Sequence, residues 1–153
     1  MKICRFCRGS GVLCQSCLKN LHEGKTTQLE VDVARALHSV DSEADYESVT
    51  DGDRVVITAK KGAVNKIIGK GGRGVKKIED ALRRKVKILE ETDDRKKMAE
   101  DMLMVPVIGV NVLYDGKEKL RLRVSRRYAR RVSRGSLDSL SRIYGKDLDI
   151  VYE

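Results

Sequence analysis

The chain has 153 residues, with 32 Lys and Arg against 23 Asp and Glu and a formal net charge of +9. That length allows one ordinary domain or two small ones, and the basic excess makes a polyanion the default partner. One Phe, five Tyr and no Trp leave too few rings for an aromatic base-stacking platform, and no apolar run approaches the ~18 residues of a membrane span.

The charge is unevenly placed. Acids outnumber bases from Glu30 to Lys60, whereas Lys61 to Lys87 and Lys117 to Arg134 are strongly basic, so the excess forms patches. Met1-Lys2-Ile3 leaves no room for a signal peptide before the first cysteine, and a soluble, cytoplasmic protein is expected.

All four cysteines fall at the start, as Cys4-x2-Cys7-x6-Cys14-x2-Cys17. Two Cys-x-x-Cys turns bring four thiolates onto one tetrahedral ion, and metal binding keeps those thiols ionised. Gly9 and Gly11 allow the reversal between the pairs. The expected cofactor is one structural Zn²⁺ held by Cys4, Cys7, Cys14 and Cys17. An iron–sulfur cluster uses the same ligand count, and a disulfide framework would be reduced in the cytosol. Four thiolates leave no open coordination position for hydrolysis. With Arg5, Arg8 and Lys19 beside it, this knuckle is either a contact for RNA or protein, or a folding staple.

Thr27-x-x-Glu30 reads as a capping box, opening a helix with Leu29, Val33, Ala36, Leu37 and Val40 on its buried face. His38 on that helix reads as surface or core decoration rather than a ligand. Asp41 to Asp53 predicts an acidic loop, a short strand around Tyr46 to Val49 and a turn at Asp51-Gly52, its charge facing away from any nucleic-acid groove. Arg54 to Ala59 predicts a buried strand. A short helix with Val64, Ile67 and Ile68, a glycine loop, a helix to about Arg84 and a strand from Val86 to Leu89 follow.

The glycine loop, Gly69-Lys70-Gly71-Gly72-Arg73-Gly74, is a phosphate-binding pattern with three readings. Val75-Lys76 after Gly74 excludes the nucleoside-triphosphate loop, which needs Lys followed by Ser or Thr. Gly69-x-Gly71-x-x-Gly74, with Glu90 further on, fits a dinucleotide fingerprint. Against it, the apolar residues before the loop are spaced as on a helix, and a buried parallel strand would be apolar nearly throughout. The third reading places Ile-Ile-Gly-x-x-Gly between two short helices.

Past residue 91, Thr92 is expected to cap a helix carrying Met98, Ala99, Met102 and Leu103, which Pro106 stops. Val107 to Leu113 predicts a strand, Asp115-Gly116 a turn, and Leu120, Leu122 and Val124 alternate with Arg121 and Arg123 to give a strand with one buried and one basic face. Arg126 to Val132 and Leu137 to Tyr144 read as helices, and Leu148 with Ile150 as a closing strand. The spacing of Val75, Ile78, Leu82, Val86 and Ile88 recurs at Leu137, Leu140, Tyr144, Leu148 and Ile150, which marks an internal repeat. Ser133-Arg134-Gly135-Ser136 stands where the glycine loop stood. Arg126, Arg127, Arg130, Arg131 and Arg134 form a secondary basic patch suited to the backbone of duplex or structured RNA, against the alternative of a solubilising helix.

The Ile-Ile-Gly-Lys-Gly-Gly run resembles the GXXG loop of the KH family, and the order helix, strand, strand, helix, GXXG, helix, strand is similar to its type II arrangement, as in bacterial ribosomal protein S-three and transcription factor NusA. With the Cys4 knuckle, nearly the whole chain resembles an archaeal NusA-like protein. The resemblance implies an α+β fold: a knuckle over residues 1–25, a type II KH domain over 26–91, and a degenerate KH-like domain lacking GXXG over 92–153. It implies RNA binding in transcription elongation or termination, with attachment to ribosomal RNA as the alternative and RNA polymerase or the ribosome as partners. Lys66, Ile67, Ile68, Gly69, Lys70, Gly71, Gly72, Arg73 and Lys76 would be the RNA-binding residues. No nucleophile–base pair or recognisable carboxylate pair is present, and the histidines are His22 and His38, so neither an enzyme nor a small-molecule substrate is expected; a dinucleotide-binding fragment is the minor alternative.

Overall fold

The computed structural model describes residues 3–153 and divides into two units, Met1–Glu90 and Glu91–Glu153. Each is α+β, with helices on a three-stranded sheet.

In the first unit, α1 (Arg5–Gly9) and α2 (Gln15–His22) carry the cysteines. α3 (Gln28–Val40) starts as expected, with the Thr27 side chain accepting from Glu30 N–H at 3.2 Å. Then come β1 (Ser48–Thr50), β2 (Val55–Ala59), α4 (Lys61–Ile68), a 3-10 turn Lys70–Gly72, α5 (Arg73–Leu82) and β3 (Val86–Glu90). β2 is central, antiparallel to β1 and parallel to β3, and each of its residues is buried. The parallel crossover from β2 to β3 runs through α4, the glycine loop and α5. α3 packs on α5, and α4 and α5 pack on β3.

The strand expected around Tyr46 to Val49 begins at Ser48; Tyr46, just before it, is a core side chain whose hydroxyl donates to Glu30 O at 3.2 Å. Carboxylates of the acidic loop are paired within the unit: Glu43 with Arg5, Glu47 with Lys60 and Asp51 with Arg84. The cysteine segment joins the same core. Ile3, Cys7 and Cys17 cluster with Val31, Val33 and Leu37 of α3, and a Cβ on Gly9 would lie 2.9 Å from the His38 ring.

The second unit comprises α6 (Arg95–Leu103), β4 (Gly109–Tyr114), β5 (Glu118–Val124), a 3-10 turn Arg126–Arg131, α7 (Arg134–Tyr144) and β6 (Asp147–Tyr152). Its sheet repeats the first: β5 is central, antiparallel to β4 and parallel to β6. Val86 and Ile88 lie opposite Val55 and Ile57, as Leu148 and Ile150 lie opposite Leu120 and Leu122.

Three expectations change here. Asp94, rather than Thr92, caps α6, its carboxylate accepting from Lys96 and Lys97 N–H, while Thr92 accepts from Asp94 N–H one step earlier. The helix expected over Arg126 to Val132 is a 3-10 turn, started when Arg126 N–H donates to Glu153 O and Tyr128 N–H to Ser125 O. The face of β5 opposite Leu120, Leu122 and Val124 is not a free basic face. Lys119 and Arg121 pair with Asp149, and Arg123 with Glu153.

Candidate nucleic-acid interface and metal centre

α4 ends at Ile68, and Gly69 takes φ 72 and ψ 176, a conformation open in practice to glycine. Gly71 and Gly72 follow at φ 65 and 77, and Gly72 N–H donates to Gly69 O at 3.3 Å. α5 starts at once. Gly74 lies so close to α4 that a Cβ there would sit 2.0 Å from Ile67 O, whereas a Cβ on Gly71 or Gly72 would meet nothing within 4 Å. Gly69 and Gly74 therefore let the two helices meet, and the outer edge of the loop between them is open backbone. Because the loop joins two helices, it is not the strand-to-helix turn of a dinucleotide site.

The first amides of α3, α6 and α7 are taken by Thr27, Asp94 and Ser133 side chains. α5 follows Gly72 and has no side-chain cap; Arg73 N–H turns back to Lys70 O, and the positive end of the helix dipole is left open to a ligand. Lys66, Lys70, Arg73 and Lys76 surround this end, exposed and without a carboxylate partner among the described residues. Lys60, Arg84 and Lys85 of the same unit, by contrast, pair with Glu47, Asp51 and Glu79. Ile67 is fully buried in the core with Ile78, so Ile68, half-buried, is the isoleucine beside the loop with surface to offer.

Cys4 and Cys14 are the N-cap residues of α1 and α2, so each Cys-x-x-Cys pair spans a cap and a first turn. The cysteines are free, and their four sulfurs lie within 4.8 Å of one another. Cys4 Sγ is 3.3 Å from Cys7 Sγ and 4.0 Å from Cys14 Sγ. A tetrahedral ion with bonds of ~2.3 Å sets its sulfurs ~3.8 Å apart, so the donor set fits a metal. Cys14 N–H donates to Cys7 Sγ at 3.0 Å, and Cys17 N–H to Cys14 Sγ at 3.5 Å. Burial pushes the Cys7 thiol up to about 12, while the Cys17 N–H draws Cys14 down to about 7. A cation at the centre is what allows all four to be thiolates.

In the second unit Ser133 Oγ accepts from Ser136 N–H at 3.1 Å, which closes the start of α7. Arg126, Arg127, Arg130, Arg131 and Arg134 are all exposed. Sequence reasoning missed two features of these sites. Gly74 is as necessary to the loop as the GXXG glycines, which the helical pattern on both sides of it could have signalled. The knuckle shares a core with α3, for which Ile3, Leu13 and Leu21 among the cysteines were the available sign.

Known proteins place the chain as follows. The KH domain family model matches residues 28–125. A solved structure, "Crystal structure of APE1850", is similar in fold over 84% of this chain and 100% of that chain, with a TM-score of 0.67 at 20% identity. No curated protein matches the chain. No helix among the described residues is long and apolar enough to cross a membrane.

Proposed function

Since the chain belongs to the KH domain family, whose members bind RNA, we propose that its first unit grips single-stranded RNA at Gly69-Lys70-Gly71-Gly72. The observation that carries this reading is the start of α5, without a side-chain cap, open along Gly71 and Gly72 and flanked by Lys66, Lys70, Arg73 and Lys76, which have no carboxylate partner among the described residues. Backbone N–H groups take the phosphates, the cations add salt-sensitive attraction, and Ile68 lines the groove beside a base. The contact is to the sugar-phosphate chain of about four nucleotides. The knuckle holds one structural Zn²⁺ and performs no chemistry; metal analysis finding iron in its place would contradict that assignment.

The chain on this reading is a cytoplasmic binding protein, not an enzyme, and serves transcription elongation or termination in the manner of archaeal NusA-like proteins. Co-purification with RNA polymerase is expected. Recovery with ribosomes instead would favour attachment to ribosomal RNA.

Gly71→Asp tests the loop directly. It sets a carboxylate on the phosphate path where a side chain meets open space, and Asp tolerates φ 65 better than most residues. Affinity for an unstructured oligoribonucleotide should fall about tenfold or more with the fold retained. Gly116→Asp, at φ 73 in the β4–β5 turn and also facing open space, has similar backbone cost and equal charge and should bind normally. Equal affinity for the two variants would overturn the assignment.

A further inference from the structure

The second unit has no open glycine loop. Its α7 spends a first amide on the Ser133 side chain, where α5 has no side-chain cap. What it carries instead is the 3-10 turn Arg126–Arg131. Tyr128 and Ala129 are half-buried and hold the turn against its unit, while Arg126, Arg127, Arg130 and Arg131 point outward. The Tyr128 ring organises two of them, with the guanidinium carbons of Arg127 and Arg131 at 5.1 and 5.9 Å from its centroid, both within cation–π range.

Three observations single out these arginines. Lys117, Lys119, Arg121, Arg123 and Lys146 are paired with Asp147, Asp149, Glu153 and Glu118, whereas none of Arg126, Arg127, Arg130, Arg131 and Arg134 has a carboxylate partner among the described residues. Like charges are crowded into one short turn, which disfavours the fold. Arg134 opens α7, where a cation sits at the wrong end of the helix dipole. Stability explains none of these placements, and a polyanion bound across the turn explains all three.

We propose that this turn is a second RNA contact, in which the guanidinium groups of Arg126, Arg127, Arg130, Arg131 and Arg134 fork onto the phosphates of a structured RNA. The proposal rests on RNA binding by the chain, as argued above. Residues three apart eclipse in a 3-10 helix and stand ~6 Å apart along it, so Arg127 and Arg130 share one row while Arg126 and Arg131 share the rows of half-buried Ala129 and Tyr128; the arginines spread over the outer side of one short turn rather than lining a groove that swallows a single strand. The ring beside them is engaged by guanidinium groups and offers no free platform for an unstacked base. The contact therefore reads phosphate position and not base identity.

The test uses the full chain, with an RNA hairpin and an unstructured oligoribonucleotide as probes, each titrated over a range of KCl. The variant is Arg127→Gln with Arg130→Gln and Arg131→Gln, three exposed positions at which glutamine keeps a polar side chain; an unchanged melting curve verifies its fold. Its hairpin affinity should fall about tenfold or more, and the slope of log affinity against log salt should flatten by about 2. Binding of the unstructured probe should change much less. Gly71→Asp should give the opposite pattern. A triple variant with unchanged hairpin affinity and slope overturns the second contact, whereas a Gly71→Asp variant that still binds the unstructured probe overturns the loop reading, so the two failures are distinct.

Discussion

Gly62 and Gly74 show how differently one residue type acts at two places in the same unit. Gly62 lies in the first turn of α4 with open space where a Cβ would go, so Gly62→Ala should stabilise the first unit by up to about 0.5 kcal/mol through the helix preference alone. Gly74→Ala would drive a methyl onto Ile67 O and prise α4 from α5, and should cost about 1–3 kcal/mol. Urea unfolding of the two variants checks the opposite signs. Tyr46 is a third such case. Burial holds its pKa above the ordinary phenol value, and Tyr46→Phe removes the hydroxyl that donates to Glu30 O, so a loss of about 0.5–1.5 kcal/mol is expected in the same assay. At this scale the loop itself is legible, because Gly-Lys-Gly-Gly after a helically spaced Ile-Ile has few other uses. Which glycine is structural and which faces a ligand is not legible, because that depends on how closely two helices approach.

Among elements, the repeat is the feature most open to sequence reasoning. The shared spacing of Val75 to Ile88 and Leu137 to Ile150 becomes a shared strand register, since a buried face fixes which residues lie opposite one another. Charge on the other face of the second sheet is not legible in the same way. Arg121 and Asp149 are far apart in the chain, and only the parallel pairing of β5 with β6 brings them to 2.9 Å. A run such as Lys119-Leu120-Arg121-Leu122-Arg123 therefore looks basic until its partner strand is known. The ladder has a pH signature. Arg121 beside Asp149, Lys117 beside Asp147 and Arg123 beside Glu153 hold these carboxyls below their ordinary range. Carboxyls depressed in the folded state stabilise it fully above the unfolded values near 4, and that contribution is lost as pH falls from there through the depressed values. The second unit should lose urea resistance over that acid window, and Asp149→Asn should weaken the dependence. A midpoint independent of pH below 4 would contradict the ladder's role.

For the molecule as a whole, composition points to a polyanion partner, and cysteine spacing points to a metal. The sequence does not reveal that the cysteine segment is built into the first unit's core, because packing between α1 and α3 has no short-range signature beyond scattered apolar residues. A metal held by the four cysteines would on that packing have a wider role than closing a knuckle. Removing it with a chelator should free Ile3, Cys7 and Cys17 from the core they share with α3, which in turn packs on α5. The first unit should then melt several degrees lower, and it should bind RNA more weakly; a knuckle independent of the unit would leave both unchanged. The central claim is that an open glycine loop between two short helices holds RNA by its backbone. Amide shift mapping tests it most directly, by titrating a short unstructured oligoribonucleotide into the isotope-labelled full chain at low salt. The account predicts the largest changes from Ile68 to Lys76, saturating together. Changes that cluster elsewhere and leave Gly69 to Arg73 unmoved would contradict it.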